Sequence, residues 1–238
     1  MAPRPKLLLL GDSLTQEGTD PSLGGWVCQV QHRYARSADV VVRGLYGYTT
    51  EMFVHHALPS VKSDLSFWGE TPVFVTLWLG GNDSALLSGH EAALHVPTAQ
   101  YRANLQTIVH AVRDAAPKAG ILMVTPPAVN DQARLELSGD GKLDFSNDGT
   151  AAYAQACIEQ AKILGVSVLD VHSTMNELSE GERLACQYDG LHLSSKGHAL
   201  VAANVVAAIE RAFPAMHKRL GAWEHPDYLE LVGQTENS

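Results

Sequence analysis

Apolar residues along this chain come in short unbroken runs, at 6–10, 40–43, 73–79, 121–125 and 166–169, separated by longer stretches with helical spacing. Runs this short, with no polar alternation, predict strands covered on both faces. Their alternation with helices predicts βαβ units and a mostly parallel sheet. Among the helical stretches, residues 104–114 place Leu105, Ile108, Val109 and Val112 on one face. Residues 196–213 do the same with Val201, Val205, Ala208 and Ile209, and Pro214 stops them. Ser194 or Ser195 is the expected N-cap of that last long helix.

Two segments fall outside this rhythm. Residues 130–150 are polar and carry Gly139, Gly141 and Gly149, a pattern that predicts a loop or lid. From about residue 220 a tail carries Trp223, Tyr228 and Leu229, and is expected to wrap the domain or to pair two copies in a homodimer. No interdomain linker, repeat or low-complexity segment interrupts the pattern, so a single domain over 1–238 is expected.

Composition narrows the classes. With 238 residues, 45% of them hydrophobic, the chain can bury a substantial core. Seventeen basic residues against 26 acidic ones give a net charge of −9, and no basic run stands out, which argues against nucleic acid or an anionic membrane as partner. Cys28, Cys157 and Cys186 are scattered, too few for a disulfide framework, and are expected as small core residues in a reducing compartment. Four leucines before Gly11 fall short of a signal-peptide core or a membrane span, so a cytoplasmic protein with no stable membrane anchor is expected.

In an open parallel sheet, ligands bind beyond the carboxyl ends of the strands. The segments expected there are Gly11-Asp12-Ser13-Leu14, then "RGLYGYTT" with Gly44 and Gly47, then "LGGNDS" with Asn82, and finally "YDGLHLS" with Asp189 and His192. A hydroxyl, glycines, a side-chain amide and an acid–histidine pair are the parts of acyl transfer. In that reading Ser13 attacks a carbonyl carbon, His192 is the general base and Asp189 fixes its tautomer. The backbone N–H groups of Ser13 and Gly47, with the Asn82 amide, surround the oxyanion. Tyr46 and Tyr48, flanking Gly47, are candidates for the substrate pocket, although with Trp26, Phe53 and Trp78 they also read as core.

These four motifs, in this order and spacing, resemble the SGNH or GDSL hydrolases. The resemblance implies that Ser13 is the nucleophile, that Gly47 and Asn82 are oxyanion donors, and that His192 is the base with Asp189 as its partner. It also implies a flavodoxin-like three-layer α/β/α sandwich with a five-stranded sheet ordered 2-1-3-4-5, in agreement with the strand pattern. Within the family, "RGLYGYTT", "YDGLHLSSKGH" and "LGAWEHPDYL" resemble isoamyl acetate-hydrolysing esterases, which implies a small ester as substrate and no cofactor.

Plainer readings exist for each residue. Ser13 or Asp12 could cap a helix, Gly44 and Gly47 could serve turns with positive φ, and Asn82 or Asp83 could cap the helix after the third strand. His198 competes with His192 as base, but falls inside the last helix. "HEAALH" at 90–95 has its histidines five apart, on different faces of a helix, and no metal is assigned. An acyltransferase, a lysophospholipase or thioesterase, and a non-catalytic binding module remain as alternatives. A nucleotide-binding protein is disfavoured, since neither G-x-G-x-x-G nor G-x-x-x-x-G-K-[ST] occurs, and an α/β-hydrolase would need a G-x-S-x-G elbow that is missing.

Overall fold

Five parallel strands form one sheet in the order β2-β1-β3-β4-β5 in the computed structural model, which describes residues 3–69, 71 and 73–235. The strands are β1 (Lys6–Gly11), β2 (Asp39–Gly44), β3 (Val73–Trp78), β4 (Gly120–Val124) and β5 (Ser167–Leu169). The helices, in chain order, are α1 (Ser13–Gln16), α2 (Trp26–Tyr34), α3 (Thr50–Met52), α4 (Leu58–Trp68), α5 (Thr98–Ala115), α6 (Asp131–Leu137), α7 (Asn147–Leu164), α8 (Val171–Asn176), α9 (Glu180–Leu184), α10 (Ser195–Ala212), α11 (Pro214–Gly221) and α12 (Tyr228–Thr235).

Successive side chains on β1 sort into two cores, because a strand alternates its faces. Leu8 and Leu10 pack with Phe53, with Val61 and Leu65 of α4, and with Leu105 and Ile108 of α5. Leu7 and Leu9 pack on the other side with Trp26 and Val30 of α2 and with Val201 and Val205 of α10. All four leucines are fully buried, each contributing about 1.5–3 kcal/mol of apolar burial. The result is the expected three-layer α/β/α sandwich, with β3 central in the sheet and β1 between it and the edge strand β2. The edge strand β2 departs from expectation: it is half-buried along its length, because only one neighbour and part of each helical layer cover it.

Strand register decides what meets at the carboxyl end. Gly11 of β1 pairs with Gly44 of β2 on one side and with Trp78 of β3 on the other, so the loops after these three strands leave the sheet at one level. That level is also where the strand order reverses direction, between β1 and β3, which is where such sheets bind ligands.

Three other expectations need correction. Residues 130–150 are not one loop: Asn130 caps α6, accepting from Ala133 N, and Ser146 caps α7. The glycines concealed this helix, although the Asn130-Asp131 pair was a usable cap signal. Cys157 and Cys186 are buried, but Cys28 is half-exposed, its thiol donating to the Thr19 carbonyl. "HEAALH" forms only a 3₁₀ turn over Ala92–Leu94, so helical spacing does not apply to its histidines. Ser194, rather than Ser195, caps α10. The tail folds back on the domain: Arg36 stacks on Trp223 at 3.8 Å and pairs with Asp227, and Arg4 pairs with Glu224.

Candidate active site

Ser13 is the first residue of α1, and its placement follows from the residues around it. Asp12 caps the helix, accepting from Leu14 N at 3.0 Å, and the Trp26 indole donates to the Leu14 carbonyl at 2.9 Å. Gly11 is needed for close approach: a Cβ there would lie 2.2 Å from Thr15 Oγ1 and 2.7 Å from the Trp78 carbonyl. The strand can therefore turn sharply into α1 and leave Ser13, only 4% exposed, facing a cleft.

His192 arrives from the far end of the chain on a tight hairpin. Tyr188 N donates to the His192 carbonyl at 3.1 Å, and Gly190 takes φ +85° at the tip. Asp189 Oδ1 accepts from Leu191 N at 2.9 Å and from His192 N at 2.7 Å, which leaves Oδ2 for the imidazole Nδ1 at 2.7 Å. His192 Nε2 then stands 3.0 Å from Ser13 Oγ. The Asp-x-x-His spacing thus does what a tight turn predicts. Burial pushes the Asp189 carboxyl up, but bonds from the His192 side chain and backbone, and its charge, outweigh this and hold it at about 2. Burial pushes His192 down, and the Asp189 bond and charge more than reverse it, so the imidazole lies above its ordinary range.

The oxyanion candidates meet the same cleft. Gly47 has φ +74° with nothing within 4 Å of where a Cβ would stand, so its left-handed conformation is the constraint and not crowding. Asn82 Nδ2 donates to the Tyr48 carbonyl at 2.9 Å; since a carboxamide has two N–H donors, this bond leaves the other available. Gln16 Oε1 accepts from Tyr46 N at 2.8 Å, tying the turn around Gly47 to α1. Gly44 does not take positive φ; it is small because a Cβ would lie 2.3 Å from Gln16 N. Asp83 does not cap its own turn; it accepts from Thr50 N and Thr50 Oγ1 at the start of α3, whose N-cap is Thr49.

Ser13, Gly47, Asn82, Asp189 and His192 together line a cavity of about 350 Å³ whose other walls include Leu94, Phe145, Leu191 and Arg134. Tyr46 also lines it, with its ring stacked 5.5 Å from His192. Tyr48 does not: its side chain packs on the α4–α5 core. Tyr188 stacks 5.8 Å from His192 on the same rim and bonds Glu17, a role no motif suggested. A larger apolar groove of about 770 Å³ between α2 and α10 contains none of these residues. His198, fully buried in α10, has neither ring nitrogen paired. Among the described residues, no three His, Cys, Asp or Glu side chains are placed to hold a metal ion.

A serine hydroxyl against an imidazole, an ionised acid behind it and donors across a small cavity can perform acyl transfer. The chain belongs to the GDSL-like lipase/acylhydrolase family, whose model matches residues 9–200. It is accordingly an ester-hydrolysing enzyme, a carboxylic ester hydrolase. The chain is 34% identical to a GDSL esterase/lipase of Arabidopsis thaliana over 83% of each chain. It is 32% identical to the isoamyl acetate-hydrolyzing esterase 1 homolog of Homo sapiens, over 98% of this chain and 94% of that one. The fold is shared with an acetylxylan esterase from Geobacillus stearothermophilus, at TM-score 0.64 and 20% identity, covering 88% of this chain and 95% of that one.

Proposed function

We propose that the enzyme is a serine esterase that hydrolyses small neutral carboxylic esters, short-chain acetates among them, through an acyl-enzyme on Ser13. The observation that carries this reading is the unbroken chain from Ser13 Oγ to His192 (3.0 Å) to Asp189 (2.7 Å) on one wall of the cavity. As Oγ attacks the carbonyl carbon, its proton passes to His192 Nε2 and the carbonyl π pair becomes an oxyanion. Ser13 N–H, Gly47 N–H and the second Asn82 N–H receive that oxyanion. Collapse expels the alcohol, which takes the proton from His192 and leaves the acyl group on Ser13. Water then attacks the acyl-enzyme with His192 again as base, releasing the carboxylic acid and restoring the hydroxyl.

Cavity chemistry supports the substrate class. Leu94, Phe145 and Leu191 form an apolar wall suited to a short acyl or alkyl group. The Arg134 guanidinium in the lining is committed to Asp144 and Asp189, and Glu91 adds negative charge, so an anionic ester is disfavoured. The names of the isoamyl acetate-hydrolyzing relatives point the same way. No single helix among the described residues is long and apolar enough to cross a membrane. Free thiols at Cys28, Cys157 and Cys186 support a cytoplasmic setting, and the exposed apolar side chains Tyr228, Leu229, Leu231 and Val232 of α12 support a homodimer formed through the tail.

The test is intact-protein mass spectrometry after treatment with a fluorophosphonate, on the native chain and on Ser13→Ala, followed by esters of graded acyl length. One adduct on the native chain and none on the variant, with the fastest turnover on acetates, is expected. A native-like adduct on Ser13→Ala would remove Ser13 from the mechanism.

A further inference from the structure

One charged pair outside the four motifs reaches the reacting groups. Arg134 extends from α6, and its Nε and Nη2 grip both oxygens of Asp144, the Nε contact being 3.1 Å. Its Nη1 lies 3.4 Å from Asp189 Oδ2, the oxygen that holds His192, and 3.3 Å from the Asp189 carbonyl. Arg134 and Asp144 are largely buried, and the guanidinium stands 5.7 Å from the Phe145 ring, the apolar wall of the cavity. The backbone is fitted just as closely. Asn130 N donates to the Gly190 carbonyl at 2.8 Å, and a Cβ at Gly190 would lie 2.8 Å from the Asn130 carbonyl and 2.9 Å from Ala133 Cβ. The start of α6 therefore sits directly on the turn that presents the acid.

We infer that Arg134 is a positioning residue, which fixes the Asp189 carboxylate against His192, and that Asp144 both orients Arg134 and offsets the charge it brings there. The inference rests on the Ser13–His192–Asp189 reading. Leu191 N and His192 N hold Oδ1, so Oδ2 is the oxygen whose placement depends on the imidazole; Arg134 gives that oxygen a second donor and bonds the same residue's carbonyl, which fixes the tilt of the carboxylate against the ring. The arginine fork suits this task because it can span two carboxylates at once.

Charge makes the role measurable. The groups facing His192 are Asp189 on its own hairpin, Asp12 and Glu17 at the two ends of α1, Tyr46 from the turn after β2, and Tyr188. Arg134, with Asp144 and Glu91 beside it, acts on this set through Asp189. Loss of the arginine charge favours the imidazolium, whereas loss of the Asp144 charge leaves the guanidinium uncompensated and disfavours it. The two substitutions should move the ionisation of His192 in opposite directions.

The experiment follows kcat/KM of the full-length enzyme for p-nitrophenyl acetate from pH 5 to 9 in native, Arg134→Met, Arg134→Lys, Asp144→Asn and Ser13→Ala forms. Arg134→Met is expected to shift the acid limb up by about half a pH unit, with kcat reduced roughly 10-fold, and Asp144→Asn to shift it down by a similar amount. Arg134→Lys keeps the charge and so the limb, but loses kcat because one ammonium cannot span both carboxylates. It also keeps the test open if the methionine variant does not fold. Rates that fall with the limb unmoved, or with both limbs moving the same way, would overturn the inference while a Ser13-dependent native rate leaves the underlying mechanism standing. A Ser13→Ala enzyme with native turnover would overturn that mechanism instead.

Discussion

Ser13 Oγ and His192 Nε2 stand 3.0 Å apart although they lie 179 positions apart in the chain. The contact exists because the loop after β1 and the hairpin before α10 open at the same edge of the sheet. His198, six residues further on, is fully buried within α10 and has no partner for either ring nitrogen. His192→Ala should therefore lower kcat by about 10⁴-fold or more. His198→Ala should change thermal stability and leave kcat/KM of the folded enzyme within about threefold of native, since its ring lies outside the cavity. Steady-state kinetics on both variants, with melting curves, decides; a dead His198→Ala enzyme that melts like the native one would reverse the assignment.

Asn82 spends one N–H on the Tyr48 carbonyl, and in the proposed mechanism the other is a donor to the oxyanion. Removing the amide should cost roughly 10²–10³ in kcat with little change in KM, because the bond strengthens only as charge forms. An Asn82→Ala enzyme that loses affinity and keeps kcat would show that the side chain only braces the Tyr48 turn.

Gln16 offers a subtler version of the same argument. Its Oε1 holds Tyr46 N–H, just ahead of Gly47, while Asn82 holds Tyr48 just behind it. Gln16→Ala should loosen the turn and lower kcat by roughly 10-fold, and Gln16→Glu, which keeps an acceptor oxygen, should recover most of the loss. Equal losses in the two variants would argue that Gln16 acts through packing rather than through that bond.

The sheet, the strand limits to within a residue or two, and the meeting of Ser13, Asn82, Asp189 and His192 were legible because each rests on local pattern plus one topological rule. Leu105, Ile108, Val109 and Val112 lie on the buried face of α5 as their spacing required. What stayed hidden depends on tertiary contact. Arg134 is one arginine in a glycine-flanked polar stretch, and only the docking of α6 on Gly190 brings it to Asp189. Tyr48 flanks Gly47 as Tyr46 does, yet the turn sends one ring to the cavity and the other to the core. Sequence adjacency cannot distinguish two such neighbours.

Gly44 and Gly47 are small for different reasons, and substitution should separate them. Alanine at Gly47 meets open space but must adopt φ near +74°, a cost of about 1–2 kcal/mol. Alanine at Gly44 would place its Cβ 2.3 Å from Gln16 N and must push α1 away from β2, costing about 3 kcal/mol or more. Chemical denaturation should rank Gly44→Ala as the less stable protein. The opposite order would mean that α1 yields easily, which would also weaken the case for Gln16 as an anchor.

Asp83 lies beneath the site, buried, and bonds the backbone and hydroxyl of Thr50, whose Oγ1 also accepts from Asn104 at 3.0 Å. Burial raises its carboxyl strongly; the two Thr50 bonds pull it back only in part, and it titrates at about 7. The unfolded chain releases that proton near pH 4, so between about pH 4 and 7 the folded state binds more protons than the unfolded state. Stability from this group is therefore present at low pH and lost as pH rises through 7. Asp83→Asn removes the titration and keeps an oxygen for Thr50 N–H. Urea midpoints for native and variant at pH 5, 6.5 and 8 should show the asparagine form gaining on the native one as pH rises. A difference that stays constant, or shrinks, would mean that Asp83 is already ionised at pH 5 and that the bonds from Thr50 outweigh its burial.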